Sequence, residues 1–213
     1  MPNKQGSHPI FARFYTRLSA SMEPVVGQHR DRVLAGLTGS VLEVGAGNGL
    51  NFSHYPRSVT NVLAVEPEPH LRMIAEAAAR QALVPVTVAA GTADHLSADD
   101  ASFDAVVASL MLCSVPDQRA ALSEMLRVLR PGGELRFMEH VRSEAPTQLR
   151  VQRFADATIW PACFGGCHAS RDTVAEITAA GFRITELTRY ELPESRLPWP
   201  TSPHASGVAV KPR

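Results

Sequence analysis

Short apolar runs alternate along this chain with longer stretches of helical period. The runs at 41–44, 61–66, 84–89, 104–110 and 134–140 are rich in Val, Leu, Ala and Phe and are too short for ordinary helices. Near-continuous apolar character over so few residues predicts strands buried on both faces. Between 117 and 129, Leu122, Met125, Leu126 and Leu129 recur at i, i+3, i+4 and i+7. That spacing gives one helix face, with Asp117 suited to the N-cap and the RPGG turn at 130–133 ending the helix. Strands that alternate with such helices predict a doubly wound, mostly parallel sheet of Rossmann-like α/β class.

The last fifty residues break the alternation. A helix at 170–180 stops at Gly181, and FRITELTRYEL and SGVAVKPR then read as two strands joined by the Pro-rich LPESRLPWPTSPH. Two strands connected without a helix pair antiparallel, so a seven-stranded sheet with one reversed strand at an edge is expected. The first 38 residues read as one or two amphipathic helices, with Pro24 starting the second. Phe11, Phe14, Tyr15 and Leu18 share one face there, which fits either packing on the sheet edge or a lid. A single domain over 1–213 follows, with 144–169 as a cap segment between the fifth strand and the next helix.

Composition narrows the partners. The 21 basic and 21 acidic side chains cancel, and no Lys/Arg run supplies the footprint of a nucleic-acid binder. No apolar run reaches the ~20 residues of a spanning helix, and the start lacks a secretory h-region, so a cytoplasmic protein without an integral membrane segment is expected. Cys113, Cys163 and Cys167 are too few for a disulfide framework. Cys163, Cys167 and His168 sit close in sequence but are interrupted by Gly165 and Gly166 and lack a second half, so no metal is expected.

The chemistry concentrates in LEVGAGNGL, residues 42–50. Gly45, Gly47 and Gly49 stand where a first strand turns into its helix, the place where doubly wound sheets bind ligands. Leu50 occupies the third glycine position of the dinucleotide fingerprint, and no Lys follows as a phosphate loop requires. What remains is E-x-G-x-G-x-G from Glu43 to Gly49, with Ala46 inside it, which resembles motif I of the class I S-adenosylmethionine-dependent methyltransferases. VLAVEPEP ends in Glu66 and Pro67, where the resemblance implies a carboxylate accepting both ribose hydroxyls. AAGTADHL resembles the adenine turn, implying contacts from Thr92, Ala93 and Asp94, although the frequent Asp at position 92 is Thr here. FDAVVASLMLCSV resembles motif IV, placing Ser109 and Leu110 at the methionyl part, with Asn51 as a further contact. LRVLRPGGELRF resembles the family's next helix, turn and strand. The implied cofactor is S-adenosyl-L-methionine, leaving as S-adenosyl-L-homocysteine.

A closer resemblance lies in MLCSVPDQ, LRVLRPGG, FMEHV, GGCHASRDT and SPHASGVAVK, which are similar to the animal methyltransferase-like alkyl-thiol methyltransferases. It implies a small lipophilic thiol as acceptor. Known members act at the endoplasmic reticulum and carry an N-terminal membrane segment, which is not expected here. Quinone-biosynthesis C-methyltransferases often carry a His pair where this chain has Cys113 and Ser114, which argues for a different acceptor. His140, at the end of the fifth strand, and His204, before the last strand, are the candidate bases. Glu139 alternates with His140, so one of the two faces the crevice. Cys113 lies in an apolar run and reads as packing. Phe154, Trp160, Phe164 and Trp199, with Phe11 and Tyr15, suit an apolar acceptor pocket or a sealed core. An O-, N- or C-methyltransferase on the same fold and a non-catalytic S-adenosylmethionine-binding module stay open; Leu50 disfavours a nicotinamide enzyme. Oligomeric state is not legible.

Overall fold

In a computed structural model of the protein, the described residues are 9–192 and 199–213, with only the backbone of 9–11. Phe11's side chain and residues 193–198 of the Pro-rich connection lie outside that set. Seven strands form one sheet in the order β3-β2-β1-β4-β5-β7-β6. They are β1 (Gly39–Val44), β2 (Val59–Val65), β3 (Val86–Ala89), β4 (Phe103–Ser109), β5 (Leu129–His140), β6 (Arg183–Glu191) and β7 (Pro203–Val210). β1 to β5 pair in parallel, and the order reverses between β1 and β4. Ligand crevices open outside the carboxyl ends of the strands at such a reversal.

The alternation of side chains on buried strands fills both faces. Leu42, Val44, Val106, Leu135 and Phe137 face one core with Leu122 and Met125 of α3 (Gln118–Val128) and Ile177 of α6 (Thr173–Ala179). Val41, Val62, Val107 and Met138 face the other, with Val26, Val33 and Leu34 of α1 (Pro9–Leu34) and Ala75 of α2 (Pro69–Ala79). Asp117 caps α3 by accepting from the N–H groups of Arg119 and Ala120, and Asp172 caps α6 at Ala175.

Three features depart from the pattern reading. The N-terminal segment is one 26-residue helix, and Pro24 lies inside it instead of starting a second. A proline removes one i→i−4 bond, here to the carbonyl of Ala20. Both residues are exposed, where water can take its place, and buried Val26, Val33 and Leu34 hold the second half down. β5 begins directly at Leu129, which pairs with Phe103; the RPGG turn then bulges out and pairing resumes between Glu134 and Ala105. The reversed strand is β7, antiparallel to both β5 and β6 and so one place in from the rim. The cap carries two helices, α4 (Pro146–Asp156) and α5 (Trp160–Cys163). Among the described residues no helix is long and apolar enough to cross a membrane.

Candidate active site at the carboxyl ends of the parallel strands

All three glycines of the turn after β1 have positive φ: 72° at Gly45, 57° at Gly47 and 80° at Gly49. Two of them also sit against side chains. A Cβ on Gly45 would lie 2.7 Å from Met111 Cβ, and one on Gly49 would lie 2.7 Å from the Phe52 ring. Gly47 differs, because its nearest neighbour would be the Tyr15 ring at 3.6 Å. The turn thus presents its middle glycine to the crevice, beneath α1. The Gly47 N–H donates to Glu66 Oε2 at 2.8 Å, and Glu66 Oε1 accepts from Glu68 N–H at the same distance. Burial raises the Glu66 carboxyl above its ordinary range, although these two backbone donors pull the other way.

Glu43 and Asn51, expected at the ligand, have their side chains committed to each other beneath the turn. Asn51 Nδ2 donates to Glu43 Oε1 at 3.0 Å and to Ser109 Oγ at 3.2 Å, while its Oδ1 accepts from Arg30 Nη1 at 2.7 Å. Glu43 Oε2 accepts from Tyr55 O–H at 2.7 Å. Burial pushes the Glu43 carboxyl up to about 7 against those two hydrogen bonds. Asn48 Nδ2 also donates to Ser19 Oγ on α1 at 3.1 Å, so the helix is tied to the turn at two points. Leu110, directly after β4, is in a left-handed conformation, φ 57°, with its N–H on Met138 O at 2.7 Å. Such a conformation costs a branched residue about 1–2 kcal/mol, and it redirects the chain into the crevice. Thr92 and Ala93 are half-buried in a turn closed by the His95 N–H on Thr92 O, whereas Pro67 and Asp94 are exposed.

At the far end of the crevice the organiser is Glu139. Fully buried, it accepts the N–H groups of Met111 and Leu112 on Oε1, both at 2.9 Å, and that of Cys113 on Oε2 at 3.3 Å. Burial pushes its carboxyl up to about 7, opposed by those donors. Arg171 Nη1 grips the same turn from outside through the carbonyls of Leu112 and Val115. His140, next along β5, has Nδ1 3.5 Å from both Cys113 Sγ and Cys167 Sγ. Burial works to lower the imidazole, but Cys167 and then Glu139 outweigh it and hold His140 above its ordinary value.

Cys163 is exposed and stands apart from this cluster, in keeping with the reading that Cys163, Cys167 and His168 do not make a metal site by themselves. Cys167 instead joins Cys113 and His140, their ligand atoms all within 4.8 Å of one another. Asp156, at the end of α4, fixes this loop by accepting from the N–H groups of Ala169 and Ser170. The His168 N–H then donates to Cys113 O at 2.9 Å.

His204 pairs with His140 across β5 and β7, its ring edge-on at 4.7 Å. Nδ1 lies 2.7 Å from Ser202 O and must carry the proton, since a carbonyl only accepts. Burial first, then neighbouring His140, push His204 down to about 3. A base that weak does not take a proton from a thiol near ~8.5. Trp160 stacks on Phe164 at 4.0 Å and meets Trp199 edge-on at 5.5 Å, while Phe154 points to solvent, 73% exposed.

A family model described as a methyltransferase domain matches residues 42–137. The chain is 35% identical over 208 residues to thiol S-methyltransferase TMT1B of Mus musculus, covering 95% of this chain and 83% of that one. It is 38% identical over 178 residues to thiol S-methyltransferase TMT1A of Homo sapiens, covering 81% and 70% respectively. The crystal structure of a putative methyltransferase from Bacillus halodurans superposes with a TM-score of 0.73 at 16% identity, over 87% of this chain and 98% of that one. At that identity the superposition speaks to the fold.

Proposed function

The chain belongs to the class I S-adenosylmethionine-dependent methyltransferase family that includes these thiol S-methyltransferases, and on that premise we propose that it methylates a small lipophilic thiol. The observation that carries the thiol is the likeness to TMT1B over 95% of the chain, acceptor end included.

The residues at the glycine turn fit the cofactor. Glu43, Glu66 and Glu139 are all buried around the crevice, and Arg30 is the buried arginine beside them. Buried carboxylates in this excess favour a ligand that brings positive charge, as a sulfonium and an ammonium do. The absence of Lys and Arg from residues 42–51 suits a ligand without phosphate. When bound, S-adenosylmethionine supplies a methyl group already activated on a cationic sulfur.

In this reading Gly45, Ala46, Gly47 and Gly49 cradle the cofactor through backbone. Glu66 takes the ribose diol on the free lone pairs of its two oxygens, with Pro67 beside it. Thr92, Ala93 and Asp94 frame the adenine, and Ser109 and Leu110 meet the methionyl part. Glu43 and Asn51 act from beneath by fixing the turn. α1 serves as a lid, with Tyr15 over Gly47.

The acceptor enters between β4, β5 and the cap, where Trp160, Phe164 and Trp199 supply an apolar wall. Trp160 Nε1 is buried without a partner among the described residues, which suits a wall that meets a ligand. His140 stands where the acceptor loses its proton, and His204 is a positioning residue that holds the His140 ring. The enzyme works in the cytoplasm, a reducing compartment that suits Cys113, Cys163 and Cys167, none of which is in a disulfide.

Methyl transfer to a panel of alkyl thiols, phenols and amines tests this. Turnover on thiols is expected, and turnover confined to phenols or amines refutes the acceptor. His140→Ala should lower kcat at least about tenfold with S-adenosylhomocysteine affinity nearly unchanged, and an unchanged kcat removes His140 from the reaction.

A further inference from the structure

We propose that Cys113, His140 and Cys167 form a three-ligand zinc site whose fourth position takes the acceptor sulfur. This rests on the thiol reading above for its fourth position, and on the geometry alone for the ion.

The three ligands come from separate elements: the turn after β4, the end of β5, and the loop after α5. Each is anchored before any ion arrives. Glu139 and Arg171 hold the Cys113 turn, Asp156 holds the segment next to Cys167, and the His168 N–H on Cys113 O docks the two loops together. Gly166 permits the docking, because a Cβ there would come 2.9 Å from Ser114 O.

Two edges of the three-ligand set match a tetrahedral ion, and the third, between the sulfurs, is no longer than 4.8 Å. With Zn–S near 2.3 Å and Zn–N near 2.0–2.1 Å, the nitrogen-to-sulfur edge of a tetrahedron is about 3.5 Å. Both sulfurs lie 3.5 Å from the same nitrogen of His140. Hydrogen bonds to His140 alone do not account for both contacts, because one imidazole nitrogen offers a single in-plane position, a proton or a lone pair, and so bonds to one of the two sulfurs. An ion on that lone-pair axis satisfies all three groups at once. Two thiolates and an imidazole, with no carboxylate oxygen in the set, select a thiophilic ion over calcium or magnesium.

Three protein ligands leave zinc one coordination position, the arrangement of catalytic sites as opposed to closed structural ones. A thiol is the ligand that position prefers. On binding, the S–H bond breaks, a zinc–sulfur bond replaces a zinc–water bond, and the water and the proton leave to solvent, with no change of oxidation state. The bound sulfur keeps a lone pair for attack on carbon. This gives the acceptor end a means of deprotonating a thiol that the weakly basic His204 lacks.

The test uses the full chain, purified under reducing conditions, with zinc content measured and the metal-free protein titrated with cobalt(II). About one zinc per chain is expected, together with the thiolate-to-cobalt charge-transfer band and visible bands of a tetrahedral two-thiolate site. Cys113→Ser and Cys167→Ser should each abolish that spectrum while Cys163→Ser keeps it, with circular dichroism showing which variants fold. Adding an alkanethiol should shift the cobalt bands, a readout independent of turnover.

No metal and no cobalt spectrum in the reduced wild type overturns the site, as does a Cys113–Cys167 disulfide in the protein as isolated. Metal retained by the Cys113→Ser/Cys167→Ser double variant overturns it too. Thiol methylation at full rate in metal-free protein refutes the fourth-position role and leaves the thiol reading standing. Bound zinc in a protein that methylates only phenols or amines keeps the ion and sinks the thiol reading instead.

Discussion

Glu139→Gln isolates the energetic cost of the most deeply buried carboxylate in the site. Glu139 has its carboxyl pushed from an ordinary 4.5 to about 7 by burial. The folded protein therefore binds this proton more tightly than the unfolded chain. Stability that this group contributes is fully present below the unfolded value and is lost as pH rises through the folded one. At about 1.4 kcal/mol for each tenfold change in proton affinity, the whole displacement is worth about 3 kcal/mol. About 2.5 kcal/mol of it falls between about pH 5 and about pH 8.

Glutamine keeps one acceptor oxygen, enough for the N–H groups of Met111 and Leu112, which share Oε1 at 2.9 Å. It gives up the longer contact to Cys113 N–H at 3.3 Å, much as the protonated acid does. Near pH 5 the two proteins should then agree to within about 1 kcal/mol. Towards pH 8 the variant should gain on the wild type by about 2.5 kcal/mol, because it carries no charge to bury. Urea denaturation followed by Trp160 and Trp199 fluorescence at each pH reads the difference directly. The difference is the informative quantity, since a contribution from Cys167, held below its ordinary value chiefly by Cys113, runs the opposite way with pH and cancels in it. A wild-type minus variant difference that stays flat across the window would refute the argument.

Two further outcomes follow from the turn after β1. Glu66→Ala removes two charged acceptors, each worth about 1.5–3 kcal/mol to a ribose hydroxyl, so S-adenosylhomocysteine should bind about a hundredfold more weakly by calorimetry; affinity within threefold of wild type would take Glu66 out of the cofactor site. Gly49→Ala forces a φ of 80° on a residue with a Cβ and drives that Cβ against buried Phe52. The conformational and overpacking costs together come to about 2–5 kcal/mol in urea unfolding, and a loss under about 1 kcal/mol contradicts the geometry.

The doubly wound core was legible because period and polarity act locally. The apolar run at 104–110 became β4 (Phe103–Ser109), and Asp117 caps α3 as its position ahead of an i, i+3, i+4, i+7 face required. The glycine turn was legible for the same reason, since its backbone demand is written in consecutive residues. What escaped were partnerships across the fold. Arg30, Asn51, Glu43 and Tyr55 form one chain of hydrogen bonds that begins on α1 and ends after β1. Cys113 and Cys167 meet only because two loops dock at the same strand ends. Glu139 carried a usable signal, a charged residue inside the otherwise apolar run LRFMEH, where burial demands a dedicated set of donors. Pro24 misled because a helix-start preference yields to tertiary contacts that hold both halves of one helix.

The placement of β7 between β5 and β6 sets an order of assembly. Strands β1 to β4, which carry the glycine turn and Glu66, are complete within the first 109 residues and can pair as they emerge. β6 has no neighbour to join until β7 exists, and β7 is made last. Pulse-labelled hydrogen exchange during refolding should find β1 and β4 protected before β6. The acceptor half, where His204 meets His140, is then the last part of the molecule to acquire its shape.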